Sequence, residues 1–268
     1  MFQEERFSII LGIIENEGKI TTAQIQRKCG VGYGTAKNDL DLLAEKGLVQ
    51  RTHGGAIRVM KIGFAPDIQG LSAKERCENI DPEYLAIAVK AVSLIEKDDV
   101  VYLTSASIGY LMAKELPDMR CTVVTNSLSI AEELRAKKAV RVIVTGGEMN
   151  ENGNFYDEIT MSVLRRLRMD KAFITGGACT AKFGISTVTS KSIGLTNLVC
   201  ENTRSVIGLF PAAKIGRDSV VQICPAEKME VLITSYGASD EECAAIAEKG
   251  VQVVRVQPEN GNPGEETT

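Results

Sequence analysis

From Gly18 to Val59 the chain sets helix starters, helix breakers and turn residues so close together that only short helices followed by a hairpin can fit. In Thr21-Thr22-Ala23-Gln24 a hydroxyl precedes a glutamine by three residues, the capping-box pattern in which side chains and backbone satisfy each other at a helix start. That helix stops at Cys29-Gly30, and a second opens after Val31-Gly32. It runs from about Tyr33 to Lys46 and ends at Gly47, a suitable left-handed terminator. Ala36, Leu40 and Leu43 fall four and three apart, which puts them on one face. Leu48 to Arg51 then alternates as a strand, Thr52-His53-Gly54-Gly55 turns, and Ala56 to Val59 returns. Ahead of all this, Glu4 to Asn16 is an amphipathic helix with Phe7, Ile10, Leu11 and Ile14 on one stripe. The pattern is that of a winged helix-turn-helix.

If Ala36, Leu40 and Leu43 face inward, Tyr33, Thr35, Lys37 and Asn38 face outward near the first turn of the second helix. Asparagine can pair bidentately with adenine, and lysine reaches guanine or phosphate, so this set suits a major groove of double-stranded DNA. Gly32 and Gly34 are costly inside a helix, Gly by up to about 1 kcal/mol. They allow a close approach to DNA, or a helix start that orders on binding. On the wing, Arg51 is expected to contact phosphate, while His53 is open between DNA contact and shaping the turn. Thr22 is open between a phosphate contact and a cap.

Bulk properties bound the rest. The 268 residues favour two domains, and 44% hydrophobic content is enough for real cores. No run approaches the roughly 18 apolar residues that span a bilayer, and MFQEERFSII is no secretory signal, so a soluble, cytoplasmic chain is expected. Seven scattered cysteines and one histidine offer neither a zinc finger nor a CxxC site; no metal or cofactor is expected, and most thiols read as small core residues. Net charge is −4, yet residues 1–60 hold eight Lys/Arg against seven Asp/Glu. Phosphate contacts supply most non-specific affinity, so one such head should bind weakly. A homo-oligomer, dimer or tetramer, doubles the contacts.

The expected organisation is a winged head over 1–60, a linker over 61–81, an α/β domain over 82–257 and a polar, disordered tail over 258–268. Glu83 to Glu96 reads as a helix with Leu85, Ala88, Val92 and Ile95 inward. Strands follow at Val100–Leu103, Thr122–Thr125, Val140–Val144, Lys171–Thr175, Ser205–Leu209, Val231–Thr234 and Val251–Val256. Helices lie between them at Ile108–Leu116, Ser129–Lys137, Ser192–Asn202 and Asp240–Lys249. Apolar strands separated by helices predict a mainly parallel sheet covered on both faces, with ligands at the carboxyl ends of its strands.

Several stretches together resemble the DeoR family of bacterial transcriptional regulators over nearly the whole chain: VGYGTAKNDLDLLAEKGLVQRTHGGAI in the head, then VVTNSLSIAEEL, VRVIVTGGEMN, MDKAFITGGACTAKFGIST and AAKIGRDSVVQICPAEKMEVLITS. The resemblance implies a C-terminal domain similar to ribose-5-phosphate isomerase that binds a phosphorylated sugar or another small anionic metabolite. It also implies homo-oligomers whose DNA affinity the effector changes. Where the family often has two arginines this chain has Lys37-Asn38, so its operator need not match a relative's.

Effector residues carried over are Thr104, Ser105 and Ser107 at a strand running into a helix start, Thr125-Asn126-Ser127 at another strand end, the Gly146-Gly147 backbone, and Lys214. The family's Asp-Ser-Gly and three threonines are here Thr104 to Gly109, and its DSSK is Pro211-Ala212-Ala213-Lys214. Tyr84 and Gly194 stand where the family has lysines. The losses point to a different effector or none. Lys214 is open between ligand pairing and a solvated surface, Lys191 likewise, and Arg76 is open to an interface role.

A sequence-specific regulator, most often a repressor in such a family, is the leading reading. An aldose–ketose isomerase needs a carboxylate base with a lysine; Thr104 and Pro211 replace acids, while Glu148 and Asp157 sit in loops with nothing to place them beside Lys214. Catalysis is therefore not expected. A third class is a ligand-independent repressor whose degenerate pocket serves only assembly.

Overall fold

Ile10, Ile13 and Ile14 from the first helix meet Ile25, Leu40 and Leu43 from the next two, and this apolar seam builds the first of two compact units, Met1–Phe64 and Ala65–Thr268. The computed structural model describes residues 2–45, 48–52, 54–58, 71–78 and 80–257. Lys46 and Gly47, His53, most of the 61–81 linker and the 258–268 tail fall outside the described residues.

The first unit runs α1 (Gln3–Glu17), β1 (Lys19–Thr21), α2 (Thr22–Cys29), α3 (Tyr33–Glu45), β2 (Val49–Thr52) and β3 (Gly55–Arg58). Thr21 caps α2: its hydroxyl accepts from the Gln24 N–H, and the Gln24 side chain accepts from the Thr21 N–H. Gly18 and Gly30 end α1 and α2 with positive φ, which glycine adopts at no steric cost. The wing has a third strand that the sequence reading lacked. β1 pairs antiparallel with β3, giving the order β1-β3-β2. Three residues are too few to show a period of two, so only the long-range pairing reveals β1. Gly55 makes that pairing fit: a Cβ there would lie 2.0 Å from the Ile20 carbonyl oxygen.

The second unit begins with α4 (Pro82–Val92), β4 (Val100–Leu103), α5 (Ser107–Glu115), β5 (Cys121–Thr125), α6 (Leu128–Leu134), β6 (Val140–Val144), α7 (Glu158–Leu164) and β7 (Met169–Ile174). It continues with β8 (Ala178–Thr180), β9 (Gly184–Thr187), α8 (Ile193–Glu201), β10 (Thr203–Leu209), β11 (Val221–Cys224), β12 (Val231–Ser235), α9 (Asp240–Glu248) and β13 (Gln252–Val256). Seven parallel strands form one sheet in the order β13-β12-β10-β7-β4-β5-β6. Val101 and Leu103 point to a core with Ile87, Ile108 and Met112, while Tyr102 points to the opposite core with Ile174, Val206 and Phe210. Burial on both faces explains why the strands read as continuous apolar runs. From β4 the chain adds β5 and β6 on one side, then crosses back to add β7, β10, β12 and β13 on the other. The reversal lies between β4 and β7, and crevices in such sheets open at the strand carboxyl ends there.

Two readings are corrected, and two elements are new. α4 stops at Val92, because the Leu94 and Ile95 amides turn back to carbonyls three residues earlier. Its inward residues are Ile87, Ala88 and Ala91, whereas Leu85 is exposed. The helix α7, opened by the Asp157 cap on the Thr160 amide, and the antiparallel sheet β11-β9-β8 were not expected. Both are made of segments too short to show a period. Among the described residues no helix is long and apolar enough to cross a membrane.

Gly55→Ala should lower stability by about 1–3 kcal/mol through overpacking against β1. Scanning calorimetry of the full chain checks this; an unchanged unfolding profile would contradict the role given to Gly55.

Candidate nucleic-acid interface and effector crevice

In α3 the buried residues Ala36, Asp39, Leu40 and Leu43 hold one face inward, and Tyr33, Gly34, Thr35, Lys37 and Asn38 are all exposed on the other. A buried ion pair fixes this helix against α1. The Arg6 Nε and Nη2 donate to the two Asp39 carboxylate oxygens at 2.6 and 2.9 Å, and the Asp39 side chain is wholly buried. Sequence reading missed this pair, because neither residue breaks the apolar pattern visibly. It accounts for a charged residue on the inward face of α3.

The wing residues are more constrained than expected. Arg51 is anchored inside the head: its Nε lies 2.8 Å from an Asp41 carboxylate oxygen, and Nη1 donates to the Gly55 carbonyl at 2.7 Å. Thr22 is buried and is not the cap; its hydroxyl and amide both donate to the Gly54 carbonyl, at 3.0 and 2.8 Å, tying α2 to the wing turn. In place of the cap or phosphate contact left open for Thr22, its hydroxyl makes an internal bond. His53 lies outside the described residues.

In the second unit, part of the expected effector set gathers near the β4–β7 reversal, where doubly wound sheets open a crevice. Ser105 Oγ lies 2.8 Å from the Tyr156 hydroxyl, and Ser107 Oγ accepts from Arg76 Nε at 3.2 Å. Gly109 lets α5 start tight against β4, since a Cβ there would lie 1.9 Å from the Thr104 carbonyl oxygen. Thr104 itself is half-buried, and its amide donates to the Phe173 carbonyl of β7. Lys214 follows β10 and donates to the Gly176 carbonyl after β7 at 3.0 Å. Its stem keeps some exposure, but dehydration of the amine, aided by repulsion from Arg76 and opposed by Glu83, lowers its pKa to about 8. Glu83 accepts from the Ser235 hydroxyl and the Ala212 amide.

The remaining residues divide differently. Thr125 and Asn126 are wholly buried: Thr125 donates to the Leu103 carbonyl, and Asn126 accepts from the Tyr102 hydroxyl and donates to the Phe155 carbonyl. They brace the strand ends instead of facing a ligand. Ser127 is buried with them, its hydroxyl without a partner. Gly146 and Gly147 have positive φ, and Gly147 packs against the Asp157 carboxylate, which the Glu148 and Thr160 amides hold below the usual carboxylate range. Beside them Glu148, Met149, Asn150, Tyr156 and Asp157 line an open cavity of about 450 Å³, within the span of small-molecule sites. Tyr156 joins this cavity to Ser105. No sequence pattern marked it. Lys191's side chain lies outside the described set; Tyr84 is half-buried and Gly194 exposed. All seven cysteines are free and six are buried, and the described residues hold no cluster able to bind a metal.

A winged reading head joined to a doubly wound α/β unit with a cationic crevice defines a ligand-responsive transcription factor. Residues 6–61 match the DeoR-like helix-turn-helix domain and residues 82–236 the DeoR C terminal sensor domain. The chain belongs to the DeoR family, and is a DNA-binding transcriptional regulator with a small-molecule sensor domain, not an enzyme. It is 29% identical over 262 residues to the HTH-type transcriptional repressor GlcR of Bacillus subtilis strain 168, covering 97% of this chain and 99% of that protein. To the HTH-type transcriptional regulator GolR of Listeria innocua it is 28% identical over 243 residues, 87% of this chain and 91% of that protein. A ribose 5-phosphate isomerase from Methanocaldococcus jannaschii superposes with a TM-score of 0.36 at 14% identity, over 49% of this chain and 52% of that one. A likeness that loose fixes neither ligand nor chemistry.

Two outcomes test this geometry. Asp39→Ala should lower the urea midpoint of unfolding, since it removes the paired hydrogen bonds that hold α3 to α1. Lys214 loses its proton earlier folded than unfolded, where the ordinary value is 10.5. Stability should therefore rise between pH about 8 and 10.5 as the dehydrated charge is removed. Lys214→Met, followed in parallel, should lack that rise.

Proposed function

We propose that the exposed α3 face, Tyr33, Thr35, Lys37 and Asn38, reads base edges in an operator, and that a phosphorylated sugar or similar small anion in the β4–β7 crevice controls the affinity. The observation that carries the first part is the clean division of α3: every residue needed for a groove points out, over a face locked by Arg6 and Asp39. Gly34 lets this exposed helix start approach the duplex without a side chain. Arg51 acts by holding the wing to α3 through Asp41. Repression follows the pattern of the relatives named as repressors, and pairing of heads in a homo-oligomer supplies the affinity that a head of charge near zero lacks. An effector that favours one arrangement of two heads then changes the match to half-site spacing.

The support for the second part is the meeting of Arg76, Lys214, Ser105 and Tyr156 at the switch point of the sheet, next to a cavity of fitting size. Loss of a bidentate base contact costs about 1–3 kcal/mol. Asn38→Ala should thus weaken binding to an operator selected from random DNA by about tenfold or more, with unfolding unchanged. Lys37→Ala should also weaken it, and Arg51→Ala should lower both binding and stability. Unaltered specific binding by Asn38→Ala and Lys37→Ala would exclude this face.

A further inference from the structure

Arg76 lies in 71–78, the first described segment of the second unit, and its guanidinium is held against the turn between β4 and α5. The segment 71–78 is built to dock. Ser72 and Glu75 cap each other around the short turn Glu75–Cys77, and Ala73 is wholly buried. Cys77 Sγ donates to the Ser107 carbonyl at 3.4 Å, and the Asn152 amide donates to the Leu71 carbonyl at 2.9 Å. The segment is thereby clasped between the start of α5 and the loop that lines the cavity.

Among the described residues the Arg76 guanidinium donates to neutral oxygens alone: Leu71 O at 2.9 Å, Ser105 O at 3.2 Å and Ser107 Oγ at 3.2 Å. Among the described residues no carboxylate lies within ion-pair distance of it, and burial lowers its pKa. Lys214 is close enough to repel it and is likewise bonded to a carbonyl, that of Gly176. Glu83, which offsets part of this repulsion at Lys214, is already held by Ser235 and Ala212. Two dehydrated cations near one another, with no carboxylate within ion-pair distance of either among the described residues, are a costly arrangement, and an arriving dianion relieves it. Its charge-assisted, bidentate bonds would be stronger than the bonds Arg76 makes to Ser105 and Ser107.

We propose that Arg76 is the coupling residue of this regulator: a phosphate group in the crevice draws the guanidinium from Ser105 and Ser107, and segment 71–78 shifts with it. Because that segment continues directly into the connector, occupancy of the crevice is passed to the reading head through the chain. This inference rests on the crevice being the effector site. Lys214, on a different element, contributes affinity but no transmission. The two cations therefore separate binding from coupling.

The test uses the full chain, inorganic phosphate as the probe, calorimetry for binding and operator affinity as the output. Wild type should bind phosphate saturably and change its operator affinity at saturation. It should also be cut faster by trypsin after the exposed Lys74 as the segment undocks. Lys214→Gln should bind phosphate at least tenfold more weakly yet respond fully once saturated. Arg76→Gln should bind at least tenfold more weakly and show no operator response at saturation, with Arg76→Lys restoring affinity in part. Thermal unfolding confirms folding of each, and Arg76→Lys carries the test if Arg76→Gln does not fold: its response at saturation should be reduced. A full response in a folded Arg76 variant overturns the coupling role while leaving the crevice intact. Phosphate binding indifferent to both Arg76 and Lys214, or absent in wild type, overturns the effector site itself and the coupling with it.

Discussion

The reversal of strand order between β4 and β7 is the constraint on which the second unit depends. A parallel sheet must route each return across a face, and two directions of growth from β4 leave a gap in the cover above their carboxyl ends. Polar groups from several elements converge there. The turn after β4 supplies Ser105 and Ser107, the segment after β7 supplies the Gly176 carbonyl, and the segment after β10 supplies Lys214. Without the close approach of Gly109 to Thr104, the start of α5 could not sit against that gap.

The reading head uses the opposite strategy. Its few apolar residues form a small core, and polar contacts orient the parts around it. Arg6 with Asp39 sets α3 against α1, Arg51 with Asp41 sets the wing against α3, and Thr22 with Gly54 sets the wing turn against α2. Three polar ties leave α3 one free face. They also explain why basic and hydroxyl residues that look available for phosphate in the sequence are occupied: a small domain has little apolar area with which to fix orientation.

Much of the local structure was legible. Thr21 with Gln24, Gly18, Gly30 and the spacing of Ala36, Leu40 and Leu43 each act within a few residues, and their elements lie as read. Strands such as Val100–Leu103 were visible because burial on both faces demands unbroken apolar runs. The β1 strand, α7 and the small antiparallel sheet were not, being too short for periodicity. The ligand residues were legible only in part. Thr125 and Asn126 have the right chemistry at a strand end, but Tyr102 and Leu103 of the neighbouring strand claim their polar groups. Tyr156 carried no signal, since nothing local tells a loop tyrosine that it will meet Ser105.

By itself, then, the sequence determined a winged head, an alternating α/β unit and the outward face of α3, because caps, breakers and hydrophobic period act over short distances. Only the tertiary structure decided which polar groups remain available. It turned Arg51 and Thr22 inward to hold the wing, buried Asn126 against the Phe155 carbonyl, and brought Arg76 close enough to Lys214 to repel it. Hydrogen bonds and buried charges are satisfied by whatever lies nearest in space, and residues so far apart in the chain become neighbours only after the sheet has closed.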